Sequence, residues 1–393
     1  MIAGMSLVTF GPVEDAVRRQ IETCQRVERA APAVLCADNH IGYSMPIGGV
    51  VGYESHVSPS AVGFDIACGN CAVRTDVSAS SIDRRAVMDE IWRVLSFGIG
   101  RRNAERVEHS VLDEIAECGH PFQKGLAHMA AQQLGTIGSG NHYVDLFEDE
   151  NDGALWVGVH FGSRGFGHRT ATWALDRIGQ KSQGMNAPPA VIRLRTELAE
   201  LYIDGMERAG RYAYAGRDWV VDRVLRILGA TALDRVHNHH NFAWKETHDG
   251  RELWVHRKGA TPAFPGQRGF VGGTMGEPAV ILEGRAGERS EASLYSTVHG
   301  AGRVLSRTRA AGKRNRRTGQ TISPGLVDFK KVKRTIAEQG IELRGGGADE
   351  APECYKRLSD VLAHHGNTVR VLHVLRPIGV AMAGRDEYDP FRD

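Results

Sequence analysis

The chain has 393 residues, and its 49 Lys and Arg residues nearly balance its 47 Asp and Glu residues. This balance gives no strong overall field, so a polyanionic partner would have to bind through local basic patches. Six cysteines are too few for a disulfide scaffold, and no apolar leader or apolar run of about 18 residues occurs, so we expect a cytoplasmic protein with reduced thiols and no membrane span.

The order of apolar and amphipathic segments predicts a mixed α/β fold, with catalytic loops at the ends of strands in central sheets. A strand at 6–10, a helix at 13–29 and a strand at 31–38 come first, before glycine-rich loops at 47–63. Gly205 and Gly210 are expected to kink a long helix. We expect one domain over residues 1–393. The later predicted strands lie at 64–75, 142–147, 155–161, 251–258, 279–284, 293–300 and 368–384, and the later helices at 81–97, 109–133, 189–228, 327–339 and 351–365.

Seventeen histidines are present, and several stand beside Gly, Asn or Cys where an apolar strand ends. Polar residues at such positions commonly line sites, because a rigid strand positions them while the loop exposes them. In the segment GFDIACGNC, Asp65 and Cys68 could face one metal ion with a carboxylate and a thiolate. Cys68 could instead be a small buried hydrophobe, or it could form a zinc knuckle or redox pair with Cys71.

Two further segments combine glycines with polar side chains. The segment LGTIGSGNHYVD at 134–145 could bring backbone N–H groups to a phosphate, or it could be a tight turn before a strand. In VHFGSRGFG, His160 and Arg164 fall at one loop. Imidazole is a suitable ligand for Mn, Fe or Zn, and a guanidinium can bind phosphate through two hydrogen bonds.

Histidines also mark two segments later in the chain. The segment HNHHNF at 237–242 has three histidines in four residues, which argues against a solvated polar loop in an apolar neighbourhood. In STVHGAGR, His299 is flanked by small residues, so a bulky group could approach its ring. A histidine can act as a nucleophile and form a phosphoramidate. The alternative for His299 is a buried core histidine.

Together, these five segments closely resemble the RtcB family of RNA ligases, the tRNA-splicing ligases. The resemblance covers nearly the whole chain and includes MPIGGV at 45–50, HRKGAT at 256–261, and DEAP at 349–352 followed by YK at 355–356. It implies an RtcB-like fold and an enzyme that uses GTP and two Mn²⁺ ions. That activity joins RNA ends carrying a 3′-phosphate or 2′,3′-cyclic phosphate to 5′-hydroxyl ends, in RNA repair or tRNA splicing. It also implies an archease-like activator as a partner.

Carried over residue by residue, the resemblance implies that Cys68 bridges both ions. Asp65 and His142 would complete one ligand set, and His160 and His240 the other. His299 would carry the nucleotide covalently. A neutral imidazole must attack, so an acceptor should hold its tautomer, and Asp65 is the predicted candidate. The residues implied to bind nucleotide are Asn141, His142, Tyr143, Asp145, Arg164, His240, Asn241, Gly273, Thr274, Met275, His299, Gly300, Ala301 and Gly302.

Three positions depart from the family's pattern, all around the nucleotide base and sugar. The family ends in Val-Lys-Gly, whose lysine contacts guanine, whereas Met382 or Ala383 stands there in this chain. Asp145 replaces a family glutamate, and residues 274–279 read TMGEPA where the family has SMGTAS. We therefore expect weaker discrimination between GTP and ATP than in relatives that carry the lysine.

Two other functions remain open. A metal-dependent phosphoesterase that opens cyclic phosphates without joining ends would need the metals but not His299. A non-catalytic RNA-binding protein on a decayed ligase scaffold would be expected to lose metal ligands first. The basic segment after His299 is predicted to bind RNA, with a solvated basic loop as the alternative. Its candidate residues are Arg303, Arg307, Arg309, Lys313, Arg314, Arg316 and Arg317.

Overall fold

The computed structural model describes residues 7–29, 31–179, 184–185, 187–314 and 320–384. These residues alternate between strands and helices, which confirms the predicted mixed α/β class. The strands are β1 (Leu7–Thr9), β2 (Ala33–His40), β3 (Ile47–Tyr53), β4 (His56–Val57), β5 (Gly69–Ser78), β6 (Tyr143–Asp149), β7 (Ala154–Phe161), β8 (Ile192–Arg193), β9 (Ala232–His239), β10 (Asn241–His248), β11 (Arg251–Lys258), β12 (Ala260–Pro262), β13 (Arg268–Val271), β14 (Ala279–Gly284), β15 (Ser296–Val298), β16 (Lys313–Arg314), β17 (Thr321–Ser323), β18 (Glu342–Gly346) and β19 (Val369–Gly384).

The helices are mostly short, with one long exception. They are α1 (Asp15–Gln25), α2 (Pro59–Val62), α3 (Arg84–Val94), α4 (Ser110–Glu117), α5 (Ala127–Gln133), α6 (Arg164–Arg177), α7 (Glu197–Leu228), α8 (Glu288–Ala292), α9 (Arg307–Ala311), α10 (Phe329–Glu338) and α11 (Leu358–Ala363). Short 3₁₀ turns cover Gln123–Leu126, Ala348–Glu350 and Pro352–Cys354. Among the described helices, none is both long and apolar enough to cross a bilayer.

The larger sheet has eight strands in the order β13-β14-β19-β6-β7-β5-β9, and β18 pairs with β19 from outside this path. Its path is antiparallel throughout. The two outer strands approach each other, because the Asn70 and Asn238 side chains both bond the backbone of Phe270, at 2.8 and 2.9 Å. The sheet therefore curls, and the ends of β5, β6, β7 and β9 face a common space.

A second sheet has five strands in the order β1-β2-β3-β11-β10. Its central strand β3 falls in the stretch 47–63 that was predicted as glycine-rich loops, and that prediction is wrong for 47–53. β3 is hydrogen-bonded on both sides, to β2 and β11, and all but one of its residues are buried. A strand covered on both faces shows no alternation of polar and apolar residues. Without that alternation, the glycines in this segment were interpreted as a sign of a loop.

Helix α7 is continuous over 32 residues, so Gly205 and Gly210 do not break it. A Cβ added at Gly205 would lie 3.1 Å from His120 Nε2, which shows that this glycine allows close packing. The prediction of one continuous helix at 109–133 is wrong. Helix α4 ends at Glu117, Cys118 is its C-cap, and Pro121 shortly afterwards disfavours a helical conformation in the residue before it. The helix predicted at 351–365 is reduced to a 3₁₀ turn and the short α11.

Candidate active site

Four adjacent strands of the larger sheet bring the predicted ligand residues together. Cys68 ends the bend that leads into β5, His160 lies in β7, and His240 directly follows β9. Gly69 pairs with Phe161 on one side and with His239 on the other, so these chain segments lie next to one another. Tyr143 pairs with His160, which places His142 beside them at the start of β6. Residues that are far apart in the chain thus share one end of the sheet.

The five side chains predicted as ligands lie in one cluster. The Cys68 Sγ atom is 3.7 Å from His142 Nε2 and 3.5 Å from His160 Nε2. Asp65 Oδ2 is 3.0 Å from His142 Nε2. The His240 ring stacks on the His160 ring with 5.1 Å between their centroids. The donor atoms of Cys68, His142 and His160 are within 4.8 Å of one another, close enough to hold a single ion.

A short hydrogen bond to Nδ1 fixes the tautomer of His160 and leaves the lone pair on Nε2, which faces Cys68 and, at 3.4 Å, the Asn141 side-chain amide nitrogen. Asn70 Nδ2 donates to the Phe270 carbonyl, so Asn70 Oδ1 must be the atom that faces His160. His160 Nδ1–H therefore donates to Asn70 Oδ1 at 2.5 Å, and the Nε2 lone pair points toward Cys68. A second partner that orients a histidine through its other nitrogen is the usual arrangement around a protein-bound metal.

Burial sets the charges of this cluster. It holds the pKa values of His160 and His240 well below their ordinary value, so both imidazoles stay neutral, as metal ligands must. Burial alone would raise the pKa of Asp65, but the hydrogen bond from His142 and the nearby charges of His142 and Arg164 lower it to about 2. Burial raises the pKa of the Cys68 thiol, so without a cation this sulfur keeps its proton.

Two observations show that the residues present fit a bound cation. His240 Nδ1 is buried and has no hydrogen-bond partner among the described residues, which is costly for a polar atom unless something else binds there. Ala67 and Arg164 adopt positive φ angles of 59° and 56°, although neither is glycine. Such strained residues concentrate at functional sites, where the surrounding structure holds them. The donor set of thiol, carboxylate and imidazole suits a divalent transition metal.

His299 lies beside this cluster and is held by Asp38. Its Nδ1 atom donates to Asp38 Oδ2 at 2.6 Å, and its backbone N–H donates to the same oxygen at 3.0 Å. Burial would raise the pKa of Asp38, but the charge and hydrogen bonds of His299 lower it. Asp38, in β2, is therefore the acceptor that sets the His299 tautomer. The prediction of Asp65 for this role is wrong, because its carboxylate is engaged with His142.

The surroundings of His299 combine close packing with open space. Its ring contacts the His240 ring edge-on, with 4.9 Å between centroids. Gly302 has a φ of 78°, and a Cβ there would lie 2.2 Å from the Asp38 carbonyl oxygen, so only glycine fits. A Cβ at Gly300 would meet nothing nearer than 3.6 Å. The loop after His299 thus packs on β2 while the space over the ring stays open.

A cavity extends from the cluster and contains most of the residues predicted to bind nucleotide. His142 and Arg164 lie behind its wall, with the Arg164 guanidinium 3.2 Å from His142 Nδ1. The predicted residues that line the cavity are Asp65, Cys68, Asn141, Tyr143, Asp145, His160, His240, Asn241, Gly273, Thr274, Met275, His299, Gly300, Ala301 and Gly302.

Strands β6 and β19 form part of the cavity wall, where the Tyr143 ring stacks on the His160 ring with 5.3 Å between centroids. Tyr143 pairs with Met382, and Asp145 pairs with Val380, so these four side chains share one face of the sheet. Tyr143 Oη and Asp145 Oδ1 are buried without a hydrogen-bond partner among the described residues. Burial raises the pKa of Asp145 well above its ordinary value. Of the two candidates for the missing lysine position, Met382 lines the cavity, whereas Ala383 packs against an apolar cluster.

Sequence reasoning did not select Asp38 and His40, although both contribute to this site. The signal was present, because the apolar strand β2 ends in Asp-Asn-His, the same pattern that marked the other segments. Sequence reasoning also did not predict that a cluster of paired polar side chains forms part of the cavity wall. There Arg303 donates to Tyr355 Oη at 2.7 Å, and Arg307 lies 2.7 Å from Glu350 Oε1.

The two cysteines of the CxxC pattern do not act together. Cys68 lines the cavity, whereas Cys71 is buried in an apolar cluster between β5 and α7, and both thiols are free. Cys71 does approach Asp218 and His237 closely enough to suggest a second metal site. Arg235 is paired with Asp218, and Arg217 donates to His237 Nε2, so arginine side chains already supply the positive charge there.

Fold and site together define a mixed α/β protein with a cavity lined by histidine, cysteine and acidic side chains. The sequence profile described as "tRNA-splicing ligase RtcB" matches residues 20–131 and 120–383. The chain belongs to this family. It is 31% identical to the "tRNA-splicing ligase RtcB" of Archaeoglobus fulgidus, over 94% of this chain and 91% of the relative.

Bacterial relatives show similar agreement over nearly their whole length. The "RNA-splicing ligase RtcB" of Escherichia coli K12 is 29% identical, over 93% of this chain and 94% of the relative. The "RNA-splicing ligase RtcB" of Mycobacterium tuberculosis is 30% identical, over 91% of this chain and 98% of the relative. The resemblance seen in the five segments therefore extends over more than nine-tenths of the chain.

Proposed function

We propose that this protein is an RNA ligase that joins 3′-phosphate or 2′,3′-cyclic phosphate ends to 5′-hydroxyl ends, in RNA repair or tRNA splicing. It uses GTP and two Mn²⁺ ions, and His299 carries the nucleotide. Family membership supports the ligase activity. The observation that carries the mechanism is the position of His299, which is tied to Asp38 through Nδ1 and lies next to the cysteine and histidine cluster.

The Asp38 contact prepares His299 for attack. Because Nδ1 holds the proton, the lone pair is on Nε2, the nitrogen that can form a bond to phosphorus. Attack of Nε2 on the α-phosphorus of GTP forms an N–P bond and releases pyrophosphate. Asp38 then stabilises the imidazolium character that develops on the ring. Gly300, directly after His299, leaves room for the attached nucleotide.

RNA joining follows from the same bond. An oxygen of the RNA 3′-phosphate attacks the phosphorus bonded to His299, which breaks the N–P bond and returns the neutral ring. The 3′-phosphate is then part of an anhydride, and GMP is a good leaving group when the 5′-hydroxyl attacks. A 2′,3′-cyclic phosphate must first be opened to the 3′-phosphate by water.

Asp65, Cys68, His142, His160 and His240 would hold the two ions. When bound, they supply positive charge that offsets the charge on the transferring phosphoryl group. Arg164 lies against this cluster and adds a fixed guanidinium. The phosphoesterase alternative would need the same ligands, but it gives no reason for the Asp38–His299 pair or the glycine-rich loop after it.

The test replaces the nucleophile and a ligand separately. Purified His299→Ala protein, incubated with Mn²⁺ and GTP labelled at the α-phosphate, should accumulate no acid-labile nucleotide and should not ligate RNA. Its metal content should match the parent, because His299 lies outside the ligand set, whereas its melting temperature should fall, because the buried Asp38 carboxylate loses its partner. Cys68→Ala should lose both activity and metal.

Two outcomes would change the proposal. Nucleotide still attached to the His299→Ala protein would mean that another residue is the carrier. Cyclic phosphate opened by the parent protein, with no nucleotide attachment and no joined product, would favour the phosphoesterase.

A further inference from the structure

Arg217 is a fully buried cation in the middle of helix α7, on the opposite side of the sheet end from the cavity. Its guanidinium lies at the end of the sheet where β5 begins and where β7 and β9 end. Its Nη1 atom donates to the Ala67 carbonyl at 3.0 Å and to the Phe161 carbonyl at 2.5 Å. Its Nε donates to His237 Nε2 at 2.7 Å, and its Nη2 to His239 Nδ1 at 2.9 Å.

Three of these partners are direct chain neighbours of predicted metal ligands. Ala67 precedes Cys68, Phe161 follows His160, and His239 precedes His240. The three ligands come from separate parts of the chain and meet only at this sheet end. One side chain therefore contacts each of the three chain segments that carry Cys68, His160 and His240.

Strand geometry explains how Arg217 reaches these neighbours without entering the site. Successive side chains of a strand point to opposite faces. His237 and His239 are two positions apart on β9, and both accept from Arg217 on the α7 side. Asn238, between them, bonds the backbone of Phe270 across the other face. His240 follows in the direction of the cavity.

The arrangement is costly, which argues for a role beyond packing. Burying a guanidinium loses its hydration, and the four groups that accept from Arg217 are neutral. One of them, the Ala67 carbonyl, belongs to a residue held at a φ of 59°. A hydrogen bond to that carbonyl stabilises the strained turn that presents Cys68. An apolar side chain of similar length could fill the space but could not hold these orientations.

We infer that Arg217 is a positioning residue of the metal centre, which fixes the relative places of the Cys68, His160 and His240 elements before any ion binds. The inference rests on the proposed metal centre. Its consequence is specific: removal of Arg217 weakens metal binding, while chemistry at saturating metal changes little.

The test measures metal affinity directly. Metal-free parent, Arg217→Met and Arg217→Lys proteins are titrated with Co²⁺, with the thiolate-to-cobalt absorption band as the readout, and with Mn²⁺ by calorimetry. The dissociation constant should rise about 10- to 100-fold in Arg217→Met, the range typical when hydrogen bonds that orient metal ligands are removed. Arg217→Lys should recover part of this affinity, because an ammonium can bond one or two of the carbonyls but cannot bridge four groups. The Mn²⁺ concentration for half-maximal nucleotide attachment should rise by the same factor.

Arg208→Met is the matched control. Arg208 is buried in the same helix and bonds Gln123, Asp204 and Glu114, away from the cavity. This variant should lower the melting temperature of the metal-free protein but keep the parent's metal affinity within about twofold. Equal loss of affinity in both methionine variants would reduce Arg217 to general stability and overturn the inference, as would parent affinity in Arg217→Met.

The remaining outcomes are also decisive. If Arg217→Met does not fold, Arg217→Lys with parent affinity overturns the inference, and a weakened Arg217→Lys supports it. A parent protein that binds no Co²⁺ would contradict the metal centre itself, which is a failure of the proposed function and not of the Arg217 contacts.

Discussion

Asp38 and Asn70 have the same effect on two different histidines. Each accepts from Nδ1, of His299 and His160 respectively, and so leaves the lone pair on Nε2. The acceptors differ in charge. A carboxylate stabilises a ring that becomes cationic during attack, whereas a neutral amide keeps a ligand imidazole in one tautomer. In the proposed mechanism, the identity of the acceptor therefore distinguishes the nucleophile His299 from the metal ligand His160.

Met382 in the cavity wall should control nucleotide selectivity. Its side chain lines the cavity beside Tyr143, with Asp145 and Val380 on the same face, and it offers no charge or hydrogen bond to a base. We expect the parent to attach AMP from ATP at a rate within about tenfold of GMP from GTP. Met382→Lys should widen the preference for GTP, because a cation can bind the O6 and N7 acceptors of guanine.

Rates of nucleotide attachment to His299 with labelled GTP and ATP measure this preference. Ala383→Lys is the control, since Ala383 packs away from the cavity and a lysine there should not sharpen selectivity. A parent that already rejects ATP strongly would show that another residue reads the base.

The segment after His299 divides into two parts. Arg303 and Arg307 turn into the cavity wall, where both contact Glu350. Arg309 in α9 and Lys313 in β16 are exposed. Arg316, Arg317 and the side chain of Arg314 lie outside the described residues. The prediction that this basic segment binds RNA can therefore be tested at the exposed residues Arg309 and Lys313, whereas Arg303 and Arg307 are already paired in the cavity wall.

Exposed Arg309 and Lys313 should contact the RNA backbone beyond the cavity. The double variant Arg309→Glu/Lys313→Glu should weaken RNA binding on the order of tenfold at low salt. It should also reduce the slope of log affinity against log salt by about 0.7 for each RNA phosphate that is no longer neutralised. Fluorescence anisotropy with a labelled RNA ending in a 3′-phosphate gives both values. Attachment of GMP without RNA should be unchanged.

A matched charge reversal tests whether position matters. Arg106 and Lys124 are exposed and do not line the cavity. If Arg106→Glu/Lys124→Glu weakens binding as much as the first double variant, only net charge matters and the segment is a solvated basic loop.

At the scale of the whole molecule, buried histidines make the fold sensitive to acid. Burial lowers the pKa values of His256 and His365 to about 4 each. Both are acceptors: His256 Nε2 accepts from the Ser58 N–H and His365 Nε2 from the Ala37 N–H. The unfolded chain takes up these protons below about pH 6.5, whereas the folded chain does so only near pH 4. The contribution of these two histidines to the free energy of unfolding should therefore be at its maximum above pH 6.5 and should decrease as the pH falls from 6.5 to 4.

Denaturant unfolding of metal-free protein at pH 7 and pH 5 measures this decrease. Each such histidine can contribute about 2 kcal/mol over that interval. His365→Gln keeps an acceptor but cannot titrate, so its decrease between the two pH values should be smaller than the parent's. The exposed His128→Gln should show the parent's full decrease. Identical pH dependence in all three proteins would contradict the prediction.

Much of the site followed from local sequence patterns. Strands β5, β6 and β7 are apolar runs, and a polar side chain at the end of such a run is positioned by the strand and exposed by the adjoining loop. The donor atoms needed for metal and phosphate chemistry were therefore visible as Asp65, Cys68 and the histidines beside glycine. Strand β3 was not visible, because a central strand rich in glycine and covered on both faces carries no alternation.

Tertiary structure decided which of these groups act on one another. Asp38 and His299 are 261 positions apart, and only the packing of β15 against β2 joins them. From sequence alone, Asp65 was wrongly favoured as the acceptor because it is a carboxylate expected in the same site. Arg217 looked like a polar position on a long helix until the helix was packed across the ends of three strands. Residue types and strand ends are properties of short segments, so the sequence by itself determined them. Which acceptor orients which histidine depends on contacts between distant segments, and those exist only once the sheets have formed.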